Sequence, residues 1–212
     1  MHHHYFLILL PLLWIYFSGS SLGGEKRSTE GENPITISLA LKSLDDRDAQ
    51  IAAIRKEFAR LQPLLKSLPK NSYEFEAKGE PYWETTTGWK ENGSWVKLQK
   101  SASSEHSHEV EDFYLKDGKL FFYYAKLGSY YYFPEYTYTR VNEERLYFAE
   151  GKLIHKLVKN VEDRSKEGVD LDRIPNEEIA LPPNPKQIYE MYYAELESLI
   201  DTLKVHTGAE KE

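Results

Sequence analysis

Apolar positions along this chain follow two different periods. Ile51, Ile54, Phe58, Leu61 and Leu65 recur at spacings of three and four, which places them on one stripe of a helix predicted over residues 45–68. Asp45, Asp46 and Asp48 suit the positive end of that helix. Pro63 should kink or end its regular part, and Pro69 closes it. Near the other end Ile188, Tyr192, Leu196, Leu199 and Leu203 repeat the pattern. There Asn184-Pro185-Lys186-Gln187 reads as a helix start, with Asn as N-cap, Pro at the first helical position and Gln three after the cap. Residues 35–40 read as a short strand or an extended lead-in.

Between the helices the period drops to two. Tyr73-Glu74-Phe75-Glu76-Ala77 alternates as a half-buried strand does. Residues 83–89 and 95–99 flank Glu91-Asn92-Gly93-Ser94, a strong hairpin signal because Asn and Gly tolerate positive φ. Residues 113–115 and 120–125 flank Lys116-Asp117-Gly118-Lys119 in the same way. A third hairpin turns at Ala149-Glu150-Gly151-Lys152, between residues 146–148 and 153–158. The three segments share an apolar strand, an acidic or amide residue before glycine, a polar residue after it, and a second apolar strand. Their unequal spacing makes this a loose repeat of one supersecondary unit. The expected fold is α+β: an antiparallel β-meander of about six or seven strands, packed with one N-terminal and one C-terminal amphipathic helix. Residues 160–184, acidic and rich in proline, read as a surface connection.

The hairpins Tyr114-Leu-Lys-Asp-Gly-Lys-Leu-Phe-Phe-Tyr-Tyr124 and Leu146-Tyr-Phe-Ala-Glu-Gly-Lys-Leu-Ile-His-Lys156 resemble those of uncharacterised exported bacterial proteins. In that group aromatic strands with DG-K-L turns follow a helix like the one holding Ile54-Arg55-Lys56-Glu57-Phe58. The resemblance covers roughly residues 45–160. The hairpins are also similar to MORN-type repeats, without the regular glycine spacing of those repeats. The resemblance implies a fold and an exported address; it implies no activity.

The N-terminus carries the address. Residues 5–17, YFLILLPLLWIYF, form an apolar run that matches a signal h-region and is short for a membrane span. Ser18, Gly19 and Ser20 follow as small residues at a cleavage point. The expected division is a signal peptide at 1–20, a flexible linker at 21–44, one α+β domain at 45–206 and a disordered tail at 207–212. The start is unusual, with His2, His3 and His4 and no Lys or Arg. An uncleaved N-terminal anchor is the competing reading, and it is the one route by which a membrane partner enters.

Charge and composition narrow the function classes. The net charge is −7 and the aromatic content 14%, with 16 Tyr. An acidic surface argues against a general nucleic-acid binder, which needs a basic face. The absence of cysteine removes thiol catalysis, Cys-ligated zinc and a lipidated cysteine anchor. No P-loop, dinucleotide fingerprint or G-x-S-x-G occurs, and no cofactor is expected.

The remaining candidate chemistry is aromatic or carboxylate. Trp83 and Trp89 share strand parity, Trp95 lies across the turn, and Tyr130 and Tyr132 lie between hairpins. Rings such as these bind glycans, peptides or partner proteins by stacking and by offering a polar tip. These five are the expected ligand-binding residues, on a sheet face that the helices leave open. In Glu105-His106-Ser107-His108-Glu109, His106 and His108 have the i, i+2 spacing of strand metal ligands, with Glu105, Asp112 or His155 as a third, but a polar connection with solvated histidines explains them better and no metal site is expected. The Glu111-Asp112 and Glu143-Glu144 doublets point to opposite faces of their strands, so neither is a glycosidase pair by itself. The expectation is a non-catalytic binding or interaction protein, exported to the bacterial periplasm or beyond the cell. The alternative is an envelope hydrolase built on Glu111, Glu143 or Glu144 with His155.

Overall fold

The computed structural model describes residues 34–164 and 170–208, with side chains from residue 46 onwards. The chain divides into two compact units, Met1–Leu39 and Ala40–Glu212. Within the second lies one sheet of eight antiparallel strands in simple sequence order. They are β1 (Lys70–Glu76), β2 (Trp83–Glu91), β3 (Ser94–Ser103), β4 (Ser107–Lys116), β5 (Lys119–Tyr132), β6 (Thr137–Ala149), β7 (Lys152–Asp163) and β8 (Glu177–Glu178). The helices are α1 (Pro34–Leu64) and α2 (Pro185–Thr207). The α+β meander between two helices thus stands as the sequence predicts, with one strand more.

Several local expectations change. Residues 35–40 are helical, so the predicted strand and the C-terminal part of the predicted 21–44 linker belong to α1. The alternating Ile-Thr-Ile-Ser run suggests a strand, but Pro34 suits a first helical turn and Leu39, Ala40 and Leu41 are strong helix formers. The predicted signal segment and residues 21–33 lie outside the described residues. The connection at 160–184 holds the end of β7, a 3-10 turn at Leu171–Arg173 and the two-residue β8. α2 runs through Thr207, which the predicted tail had claimed, and ends on Gly208 in the left-handed conformation. Asn184 stands at its N-cap position but makes no capping bond with its side chain.

The three hairpins are the same object built three times. Each turn pairs two residues of positive φ: Asn92-Gly93, Asp117-Gly118 and Glu150-Gly151. Two positive values define the type I′ turn, whose twist matches that of the strands. Each hairpin then carries a one-residue bulge at the same distance from its turn. Register shifts fall between Trp89 and Lys90, Tyr114 and Leu115, and Tyr147 and Phe148. The extra residues are Val96, Phe121 and Ile154, each three after its turn glycine.

The bulge decides which helix covers which face. In β5, Leu120 and Tyr123 join the core around Leu196, Leu199 and Leu203 of α2. The consecutive Phe121 and Phe122 both join the core around Ile51, Ile54 and Leu61 of α1. A bulge turns two neighbouring side chains to one side and breaks the strict alternation. α1 and α2 therefore lie on opposite faces, and the turn-proximal half of the sheet has no open aromatic face. That corrects the expectation of a helix-free face carrying the binding rings.

Gly88 lets the α2 side close. A Cβ there would lie 2.4 Å from the Trp95 ring and 2.7 Å from Leu203 Cδ1. Gly88→Ala should cost about 1–3 kcal/mol through overpacking, read by urea unfolding. A cost below about 0.5 kcal/mol, within the range of indifferent surface changes, would contradict this packing.

Candidate functional site

The bulges bring a mixed set of side chains to the α1 face. Trp89, Tyr114 and Tyr147 stand in corresponding places of the three hairpins, four residues before each glycine, and all belong to the α1 core. Phe58 of α1 meets Tyr114 and Phe122 edge-on, with ring centroids 5.0 and 5.1 Å apart. One step further from the turns the same face becomes polar, with Gln99, Asp112, Tyr124 and Arg145 in cross-strand register.

Between α1 and this face lies a partly open cavity of about 470 Å³. Ile54, Arg55, Phe58 and Gln62 of α1 form one wall, and Asp112, Tyr114, Phe122, Tyr124, Arg145 and Tyr147 form the other. Five of these are aromatic, and the polar members sit at fixed places among them. Asp112 accepts from Lys97 Nζ at 2.9 Å and from Gln99 Nε2 at 2.8 Å. Arg145 donates to Glu143 at 3.0 Å and to Asn176, and its guanidinium lies 5.3 Å from the Tyr124 ring centre. Tyr124 donates to Glu143 at 3.0 Å. Burial, with Glu143 beside it, pushes the Tyr124 phenol well above its ordinary pKa. Burial does the same to Tyr114, next to Asp112. Both phenols are neutral donors and acceptors at neutral pH.

A second cavity of about 470 Å³ adjoins the first through Arg55 and is more polar. Arg47, Asp48 and Ile51 of α1 line it, with His155, Leu157, Asn176 and Glu178. Glu178 of β8 pairs with Arg47 at 2.9 Å and stands 3.2 Å from His155 Nδ1. Burial lowers the His155 pKa, Glu178 restores part of it, and Arg47 and Arg55 lower it again. The imidazole is therefore neutral at neutral pH.

The opposite face holds a carboxylate cluster against α2. Glu111 accepts from Tyr123 at 2.6 Å and faces Lys100 at 3.4 Å, with Glu195 of α2 3.9 Å from the same lysine. Tyr192 of α2 donates to Glu144 at 3.1 Å, and Lys156 pairs with Glu144. Burial raises Glu109, and Glu111 beside it adds to the rise. Burial would lower Lys100, but Glu111, Glu84 and Glu195 outweigh it and hold it up.

The aromatic residues singled out from sequence do not converge. Trp89 is packed in the α1 core with Lys97 5.0 Å from its ring centre, and Trp95 is packed on the α2 side. They face opposite ways because Trp95 pairs with Lys90, the residue next to Trp89. Trp83 is half-exposed at the far end of β2. Tyr130 is in β5 and not between hairpins, and its ring lies back over Gly128. Tyr132 is exposed, near a stacked Phe133–Tyr136 pair at the far tip of β5 and β6. His106 stacks on Tyr131 and His108 bonds to Ser103. Among the described residues no group of three or more His, Cys, Asp or Glu is placed to hold a metal ion. The hydrolase carboxylates divide as well. Glu111 and Glu144 face α2, while Glu143 and His155 face α1.

Sequence reasoning missed Arg55, Gln62, Asp112, Tyr124 and Arg145 as a group. Polar residues on strands that otherwise alternate cleanly were the available signal, but their common face depends on the bulge.

Fold and site together define an α+β protein with a sheet between two helices and a mixed aromatic and charged cavity beneath one of them. No family model matches the chain, and no curated protein or solved structure matches it. Among the described residues no helix is long and apolar enough to cross a membrane.

Glu195 generates a pH prediction. Burial, with Glu111 next, lifts its carboxyl to about 7 in the fold, against an ordinary 4.5. A carboxyl raised in this way stabilises the fold fully below its unfolded pKa, and that contribution is lost as pH rises through the folded one. Glu195→Gln should therefore become progressively more favourable, relative to wild type, between about pH 5 and about pH 8. Urea unfolding at both values checks this, and an equal difference at the two would contradict it.

Proposed function

We propose that this is an exported, non-catalytic binding protein whose ligand seats in the cavity between α1 and the sheet. The observation that carries the reading is the cavity itself: five aromatic walls interrupted by a few fixed polar groups. Its volume lies within the range of about 300–1,000 Å³ typical of ligand pockets, which share this composition. A compact amphipathic group fits such a place. A free small molecule presents one, as does a ring at the end of a peptide or glycan.

Export to the periplasm or the extracellular space rests on the apolar run at residues 5–17 and the small residues after it. The carboxylate and His hydrolase draws less support. General acid–base chemistry needs titratable groups free to exchange protons with one bound substrate. Glu111, Glu143 and Glu144 are each held by a tyrosine and a cation, and they are split between two faces.

A ligand that binds only the folded state raises its stability by about 2.7 kcal/mol at a hundred times its Kd. Saturating 2-naphthalenemethanol should therefore raise the Tm of the wild-type protein by several degrees. Gln62→Trp, which fills the cavity mouth from an exposed position on α1, should fold and show no such rise. A wild-type protein indifferent to this compound, to decanol and to a phenyl glycoside would contradict the reading.

A further inference from the structure

The cations around the cavity are not equally matched. Lys97 is held by Asp112, and Arg145 by Glu143. Arg47 lies against Glu178 at 2.9 Å and Asp48 at 3.9 Å. Lys159 donates to the Leu171 carbonyl at 2.9 Å and stands 4.0 Å from Glu143. Arg55 differs from all of these. Among the described residues it has neither a carboxylate partner nor a hydrogen bond; its one contact of note is the Tyr147 ring, 5.7 Å from the guanidinium carbon. It lines both cavities and so stands at the boundary between the aromatic and the polar one.

A guanidinium presents a planar fork of donors that matches a carboxylate. Held over an aromatic face and left unpaired, it offers that fork to a ligand at no cost in broken ion pairs. The neighbouring groups agree. His155 is neutral and carries no charge toward the ligand, and each nearby carboxylate is already bound to a cation of its own. The site is thus locally cationic in a protein of net charge −7.

We infer that the ligand of this cavity is a small carboxylate with an apolar body, its ring or chain against the aromatic lining of the cavity and its anionic end on Arg55. This deepens the proposed binding function and rests on it. Arg55 is exposed, so its contribution is screened by water and salt, and the expected preference is moderate.

Matched probes that differ only in the acid separate the two ideas. By titration calorimetry at low salt, 2-naphthoate should bind the wild-type protein about five- to tenfold more tightly than 2-naphthalenemethanol, and decanoate more tightly than decanol. Arg55→Gln should abolish the preference, with acid and alcohol of each pair then binding within about twofold of each other. Its unchanged Tm would verify the fold. Equal binding of acid and alcohol by the wild type overturns the carboxylate assignment and leaves the cavity as a binding site. A preference that survives in Arg55→Gln overturns the role of Arg55. Binding of none of the four probes overturns both proposals.

Discussion

One extra residue per hairpin governs how this sheet meets its helices. A flat antiparallel strand sends alternate side chains to opposite faces, so a run such as Leu120-Phe121-Phe122-Tyr123 would share itself evenly. With Phe121 bulged, the two phenylalanines go together to α1 while Leu120 and Tyr123 go to α2. The same shift at Val96 and Ile154 keeps all three hairpins in step. Both faces thereby become apolar beside the turns, and each requires a helix to cover it.

The cavity is a consequence of the same arrangement. Doubling of side chains on the α1 face brings aromatic bulk close to the turns, where Phe58, Tyr114 and Phe122 pack edge to face. Farther along the strands the doubling ends, and the face turns to Asp112, Tyr124 and Arg145. α1 spans the boundary. It is buried at Leu61 and Ile54 and borders the cavity where Asp112 is held by Lys97 of the next strand and Arg145 by Glu143 of its own. A space with rings at one end and fixed charges at the other suits an amphipathic ligand, and the neutral tyrosines can turn their hydroxyls to serve it.

Much of the fold was legible because its signals are local. Turn glycines preceded by Asn, Asp or Glu, and stripes at helical spacing, each act within a few residues. The far halves of the strands were less legible. β5 continues to Tyr132 and β6 begins at Thr137, through stretches where Lys126, Glu143 and Glu144 interrupt the apolar alternation. Those charges are tolerated because partners lie one strand away, as Lys159 does for Glu143 and Lys156 for Glu144. The helix over 35–40 was masked by β-branched residues that also suit a strand. The site was hardest to read. Parity placed Trp83 and Trp89 on one face, with Trp95 across the turn; Trp95 pairs with Lys90 and so faces away from Trp89, while Arg55 and Asp112 come to one cavity only through tertiary packing.

The most direct test of the bulge is a set of nuclear Overhauser contacts from the four consecutive side chains at 120–123. Phe121 and Phe122 should both show contacts to apolar side chains of α1, among them Phe58 or Ile54, while Leu120 and Tyr123 show contacts to α2 at Leu196, Leu199 or Tyr192. Contacts from Phe121 and Phe122 to different helices, as unbroken alternation demands, would contradict the account.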